Sequence, residues 1–209
     1  MDLQLNAAEV RVLGSLVEKE TATPDYYPLS LNALCAACNQ KSSREPVMSL
    51  DENTVAAAVD SLRAKGLVLV TSGMEHRVRK YSHRLGEVFN FDRREQTLLC
   101  VLMLRGPQTA GELRSRSERM HNFDDLADVE AALARLAERT PPLVERLPRN
   151  AGEKEPRFMH LLGGEIERAH PAAPVRESNT PPLEERVVKL EADLAELKRQ
   201  FEQFRKSFE

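Results

Sequence analysis

The chain has 209 residues, 41% of them hydrophobic, which is enough apolar material for two small cores of roughly 75 to 90 residues each. Only 5% of the residues are aromatic and none is Trp, which disfavours a large β-sandwich, and a net charge of −3 excludes a protein that coats nucleic acid with its whole surface. The first residues lack a basic export signal and the longest apolar run, Leu98–Leu104, is too short to span a bilayer, so we expect a cytoplasmic protein without a membrane anchor.

The first half of the chain predicts three helices followed by a β-hairpin. The predicted helix starts are Asn6, which forms a capping box with Glu9, then Ser30, then Asp51. The second helix is expected to end near Asn39 and the third at Gly66, where a left-handed residue is favoured. Leu67–Val70 and Arg77–His83 have the composition of short strands, with Ser72 and Gly73 as the turn between them.

The second half repeats this order. Its predicted helix starts are the pairs Asp92 with Glu95, Thr109 with Glu112, and Asp125 with Asp128. Gly106 and Pro107 are expected to stop the first of these helices. Leu143–Leu147 and Arg157–Leu162 are the predicted strands, and Gly152–Pro156 is the tip of their hairpin.

Three helices and a hairpin, occurring twice, predict two tandem winged-helix domains, residues 1–88 and 89–164. The third helices support the duplication, because their apolar residues share one spacing. These residues are Val55, Val59 and Leu62 in the first half, and Val129, Leu133 and Leu136 in the second. The expected fold class is mainly α with small β-hairpins, an α+β fold.

The last part of the chain predicts a linker and a coiled coil. Residues 165–181 are rich in Pro and lack periodicity, which is typical of a flexible linker. Residues 182–209 carry apolar residues at alternating spacings of four and three, namely Leu183, Val187, Leu190, Leu194, Leu197, Phe201, Phe204 and Phe208. This seam predicts a homodimer, and the flanking charges suit a parallel or an antiparallel pair.

No pattern indicates catalysis, a metal or a cofactor. Cys35 and Cys38 have the spacing of a redox pair or half a zinc site, but no second pair follows, so we predict that they pack in the core without metal. Cys100 is expected to be buried as well, and an odd number of cysteines suits a reducing compartment. The five histidines are scattered, and no hydrolase, phosphate-loop or metalloprotease motif is present.

Basic residues gather where a winged helix would meet phosphates, although neither half is basic as a whole. The candidate nucleic-acid contacts are Lys41, Arg44, Asn53, Arg77, Arg79, Lys80, Arg84, Arg114 and Arg116. The alternative is a solvated surface of mixed charge, in which Glu112 and Arg116 form an ordinary helical ion pair. Against groove insertion, the third helices carry carboxylates, and Asn53 is the one residue of base-reading type near the start of the first.

Three stretches resemble the bacterial YceH family. They are Thr23–Leu34 (TPDYYPLSLNAL), Ala37–Met48 (ACNQKSSREPVM) and Leu104–Arg114 (LRGPQTAGELR). The resemblance covers about residues 1–164. It implies two winged-helix domains and supplies no catalytic residues, because the function of the family is unknown.

Two hypotheses for the function follow. In the first, the protein associates with double-stranded DNA, as a transcriptional regulator would, and Lys41, Arg44, Arg77, Arg79 and Lys80 bind phosphates. In the second, it is an adaptor that uses its acidic third helices and the Pro24–Pro28 segment to bind a partner protein. Metal or redox sensing by Cys35 and Cys38 is a third, weaker hypothesis.

Overall fold

Local capping interactions start the helices where the sequence predicts them. The computed structural model describes residues 4–71, 78–149 and 152–163. Within these residues the capping boxes at Asn6, Asp92 and Thr109 all form, with bonds in both directions between each cap and the glutamate three positions on. Ser30, Asp51 and Asp125 each accept a hydrogen bond from the backbone N–H three residues later. These predictions are confirmed.

The helices end as predicted too, with Gly66 at φ +74° and Gly106 at φ +68°. The helices are α1 (Ala7–Ala22), α2 (Leu31–Cys38), α3 (Glu52–Ala64), α4 (Leu85–Phe89), α5 (Arg93–Arg105), α6 (Ala110–Ser117) and α7 (Leu126–Ala137). The strands are β1 (Leu29–Ser30), β2 (Val68–Thr71), β3 (Lys80–His83), β4 (Val144–Arg146) and β5 (Phe158–His160). A turn of 3₁₀ helix covers Pro24–Tyr26.

Several short elements differ from the prediction. The sequence did not indicate β1, α4 or the 3₁₀ turn, because two to five residues are too few to show a period. β3 begins at Lys80, and the second hairpin is shorter at both strands than predicted. The turn at Ser72 and Gly73, the linker over 165–181 and the coiled coil over 182–209 lie outside the described residues.

Two small antiparallel sheets have related layouts. The first has the order β1-β3-β2, and the second pairs β4 with β5. Gln108 lies just before α6, as β1 lies just before α2, and it exchanges backbone hydrogen bonds of 3.0 and 2.7 Å with Phe158 of β5. Gln108 therefore pairs with β5 in the second sheet as β1 pairs with β3 in the first. The fold is mixed, mainly helical with small antiparallel sheets, which confirms the α+β class.

The core is continuous between the two halves, because α1 packs along α5. Gly14 allows this close approach, since a Cβ added there would lie 3.0 to 3.2 Å from atoms of Leu104 and Met103. The thiol of Cys100 donates to the carbonyl oxygen of Gly14 across the same contact, at 3.3 Å. Leu5 adds a second link, donating its backbone N–H to Leu162 at 2.8 Å.

Candidate interaction surface

The two cations predicted in the loop between α2 and α3 differ in their exposure to solvent. Lys41 is exposed, whereas the side chain of Arg44 has no exposed area. The Arg44 guanidinium donates to both carboxylate oxygens of Glu18, at 2.7 and 3.1 Å, and to the carbonyl oxygen of Ala37. This corrects the predicted exposure of Arg44: all of its guanidinium nitrogens donate to protein oxygens, so it presents no donor to a phosphate.

A second buried arginine, Arg11 of α1, reinforces this arrangement. It donates to the carbonyl oxygen of Cys38 at 3.1 Å and to that of Pro46 at 2.6 Å. Burial lowers the pKa of Arg11, and the neighbouring Arg44 lowers it further. Arg11 and Arg44 therefore both bind carbonyls at the C-terminus of α2, where cations are favoured by the helix dipole. The sequence signal for Arg11 was weak, a charged residue on an otherwise apolar helix stripe.

Glu18 balances the charge of Arg44. Burial opposes ionisation of this carboxyl group, but hydrogen bonds and charge from Arg44 outweigh burial and hold the pKa of Glu18 below its ordinary value. The loop is also tied to α5, because Ser43 accepts a hydrogen bond from Arg105 at 2.7 Å and Glu45 donates its N–H to Leu104. This loop is therefore a packed structural element that leaves Lys41 at the surface.

The first hairpin retains only part of its predicted basic cluster. Arg77 lies outside the described residues. Arg79 is exposed and Lys80 half-buried, and neither forms an ion pair with another described residue. Arg84 donates to Glu87 at 2.9 Å, so its charge is balanced locally.

The exposed face of α3 is acidic. Asp51 caps the helix, and hydrogen bonds from Thr54 lower the pKa of this carboxyl, so it stays charged. Glu52 and Asn53 are exposed in the first turn. Further along, Asp60 pairs with the one exposed cation of the helix, Arg63, at 3.1 Å.

The second half pairs one of its two predicted cations with a carboxylate. Arg116 donates to Glu112 at 3.3 Å, and Arg157 of the second hairpin donates to the same carboxylate at 2.8 Å and to Glu153 at 3.1 Å. Arg114 is exposed but donates to the backbone carbonyl oxygen of Asp124 at 2.7 Å. Glu112 is therefore the centre of a local ion network and also the partner of the Thr109 cap.

A groove that the sequence did not predict lies between α3 and β2. Its volume is about 670 Å³, and its lining residues are Asp60, Arg63, Ala64, Val68, Leu69 and Val70. Leu69 keeps 47% of its surface exposed. The sequence feature that could have indicated this groove is the uncharged strand Val68–Thr71, which follows an acidic helix.

The cysteines mostly behave as predicted core residues. Cys38 and Cys100 are fully buried, and burial raises the pKa of the Cys38 thiol to about 11. Cys35 is only partly buried, and its thiol donates to the carbonyl oxygen of Leu50 at 3.4 Å. The described part of the chain contains no group of three or more His, Cys, Asp or Glu side chains arranged to hold a metal ion.

His83, one of the scattered histidines, contacts a carboxylate. His83 lies 2.9 Å from Glu20 through Nε2, and its Nδ1 accepts the N–H of Leu85 at 3.2 Å. The backbone N–H of His83 donates to the hydroxyl of Tyr27 at 2.7 Å, and burial raises the pKa of that hydroxyl. These residues are far apart in the chain and join α1 to β3, so the group positions the hairpin.

No helix in the described ranges is long and apolar enough to cross a membrane.

Comparison with known proteins shows the family. A model described as "Protein of unknown function, DUF480" matches residues 5–153. A UPF0502 protein of Solibacter usitatus is 57% identical over 209 residues, with both chains fully covered. Another, of Citrifermentans bemidjiense, is 54% identical over 93% of this chain and 90% of its own, and one of Geobacter sulfurreducens is 50% identical with full coverage of both. These matches fit the resemblance to the YceH family, and the chain belongs to the DUF480 family of proteins of unknown function.

Proposed function

We propose that this chain is a non-enzymatic, two-module winged-helix protein that binds a partner protein through the solvent faces of its third helices. The order α1-β1-α2-α3-β2-β3 supports a winged-helix module in the first half. The order α5-α6-α7-β4-β5, with Gln108 bridged to Phe158, supports a second. In each module α3 or α7 occupies the position of a recognition helix.

The observation that carries the proposal is the charge of α3. Its exposed residues include Glu52 and Asp60, its cap is Asp51, and Arg63 is paired with Asp60. In α7, Asp125 caps the helix and Asp128 pairs with Arg94 of α5. Carboxylates held near phosphates repel them, whereas they favour a basic surface of another protein.

The burial of Arg44 supports the same conclusion. The DNA hypothesis needs cations in the α2–α3 loop and in the hairpin, and Arg44 belongs to the interior. Arg84 and Arg116 are each balanced by a neighbouring glutamate. A mixed, locally neutralised surface gives weak phosphate binding at physiological salt.

DNA binding is the second candidate, favoured by the exposure of Lys41, Arg79 and Arg114. Its direct test is fluorescence anisotropy with a labelled random duplex at low salt. We expect no affinity that changes steeply with salt, and no effect of the triple variant Lys41→Ala, Arg79→Ala, Lys80→Ala. Steep salt dependence that this variant reduces by about 0.9 in slope per lost contact would establish DNA binding instead.

A photo-crosslinking amino acid tests the partner-binding surface in cells. Placed at exposed Ala57 on α3, it should give a discrete adduct with a protein, whereas the matched control at exposed Ser115 on α6 should not. Equal adducts from both positions, or adducts with nucleic acid from Ala57, would refute the proposal.

A further inference from the structure

The first sheet has two edges that differ in their protection. The edge at β1 is only two residues long and follows Pro28, which lacks an N–H donor. The other edge, β2, consists of Val68, Leu69, Val70 and Thr71, without a charge or a proline. Among the described residues no strand pairs with the outer side of β2. Such an unprotected edge is suited to accept another strand.

The register with β3 identifies the backbone groups on the open side. Arg84 donates to the carbonyl oxygen of Leu67 at 2.9 Å, and this pair continues the register Val68↔His83 and Leu69↔Ser82. Because hydrogen-bonded pairs alternate along an antiparallel ladder, Leu69 faces β3 with its N–H and C=O. Val68 and Val70 therefore point their backbone groups outward.

Helix α3 forms the wall beside this edge. Ala64 and the strand residues give the groove an apolar floor, and Asp60 lines its rim together with its ion-pair partner Arg63. The Asp60 side chain is the more exposed of the two, at 73%. Glu52 and Asp51 continue the negative charge along the helix beyond the groove. This groove of about 670 Å³ is open to solvent beside β2.

We infer that this groove binds an extended, apolar segment of a partner protein by strand addition to β2, with basic residues flanking that segment. Val68 and Val70 would each exchange a pair of backbone hydrogen bonds with the added strand. The apolar side chains of the segment would cover Leu69, and its basic flanks would lie beside the carboxylates of α3. This inference rests on the proposed function and identifies where on the first module the partner binds.

Selection from a displayed library of random dodecapeptides against the full chain tests the inference. We expect enriched peptides with an apolar centre and Lys or Arg flanks, whose affinity is then measured by fluorescence anisotropy. Val70→Pro removes an N–H that points away from β3 and leaves the hydrogen bonds to β3 intact. It should lower the affinity for these peptides about tenfold or more. The matched control Val70→Thr keeps the donor and the strand preference, and should bind within about twofold of the wild type.

A second variant avoids any change to the backbone. Asp60→Lys should weaken basic-flanked peptides about threefold to tenfold and reduce the salt dependence of their binding. Circular dichroism and urea unfolding establish that each variant is folded before binding is compared. Unchanged affinity in both folded variants overturns the inference, as does a selection without enrichment.

The remaining outcomes separate the site from the function. If the affinity for the peptides falls in Glu52→Lys but is unchanged in Val70→Pro, the partner binds α3 alone. The groove inference then fails while the proposed function stands. Salt-dependent duplex binding without peptide enrichment would contradict both. Self-association that Val70→Pro abolishes in sedimentation would identify a second copy as the occupant and refute the partner segment.

Discussion

At the scale of single residues, burial decides the role of a charged side chain more than its neighbours in sequence do. Lys41 and Arg44 lie three positions apart in one polar loop, yet Lys41 is exposed and Arg44 is enclosed with Glu18. A cation at the surface acts through a screened field, whereas removing one partner of a buried pair leaves the charge of the other uncompensated. Substitution of Arg44 is therefore expected to change the stability of the fold, whereas substitution of Lys41 is expected to leave it nearly unchanged.

Arg44→Met should lower the free energy of unfolding by about 3 kcal/mol, because it removes the buried guanidinium that donates to the Glu18 carboxylate and the Ala37 carbonyl. Lys41→Met, in the same loop, should change it by less than about 0.5 kcal/mol. Urea unfolding followed by circular dichroism measures both. Equal effects would show that the Arg44 pair does not stabilise the fold.

His160 should make stability depend on pH. Burial lowers the pKa of His160 to about 4, so the folded protein keeps it neutral while the unfolded chain takes up a proton near pH 6.5. The free energy of unfolding is therefore highest above pH 6.5 and falls toward pH 4, by about 3 kcal/mol at most. Urea unfolding at several pH values should show a flatter dependence for His160→Gln between pH 6.5 and 4.5. Parallel curves for the two proteins would contradict this assignment.

At the scale of elements, the contact between α1 and α5 depends on a glycine. Gly14 lies in the middle of α1, where alanine has the higher helix propensity, but its Cα faces Leu104 and Met103. The side chains of both residues are buried, so they have little room to move. Packing and propensity thus oppose each other at this position.

Gly14→Ala should destabilise the protein by about 1 to 2 kcal/mol, since overpacking outweighs the gain in helix propensity. Gly111→Ala in α6 is the matched control, because the nearest atom to its added Cβ is 3.9 Å away in Thr109. This variant should be neutral or stabilised by up to about 1 kcal/mol. Opposite signs in thermal unfolding are the expected result, and stabilisation by both would refute the packing argument.

At the scale of the whole molecule, the shared core couples the two halves. Leu13 and Leu16 of α1 belong to the same buried cluster as Leu102 of α5. We therefore expect the two halves to unfold in a single calorimetric transition, with a calorimetric enthalpy equal to the van't Hoff enthalpy. Two separated transitions would mean that each half unfolds independently.

The tail should make the chain a dimer, a prediction that rests on sequence alone because residues 182–209 lie outside the described residues. Replacing the seam residues Leu190 and Leu197 by Ser should shift sedimentation from dimer to monomer. Replacing Val188 and Ala195, which lie off the seam, should leave the dimer intact. A monomeric wild-type chain at high concentration would refute the prediction.

The sequence by itself determined where the helices begin and end, because caps act over three or four residues. Asn6, Asp51 and Thr109 each bind a backbone N–H three positions away, and Gly66 needs only its own freedom to adopt positive φ. The acidic face of α3 could also be predicted from the sequence, since a carboxylate at a capping position is exposed to solvent. The short elements β1 and α4 were not, because tertiary pairing rather than local preference selects them.

The tertiary structure alone decided which charges are available for binding. Arg44 reaches Glu18 across 26 positions, and His83 reaches Glu20 across 63, so no local pattern encodes either pair. The groove beside β2 likewise exists only because the strand order leaves that edge open next to α3. Local hydrogen bonds depend on sequence spacing, whereas burial and edge exposure depend on how distant segments pack, and this is the physical reason for the difference.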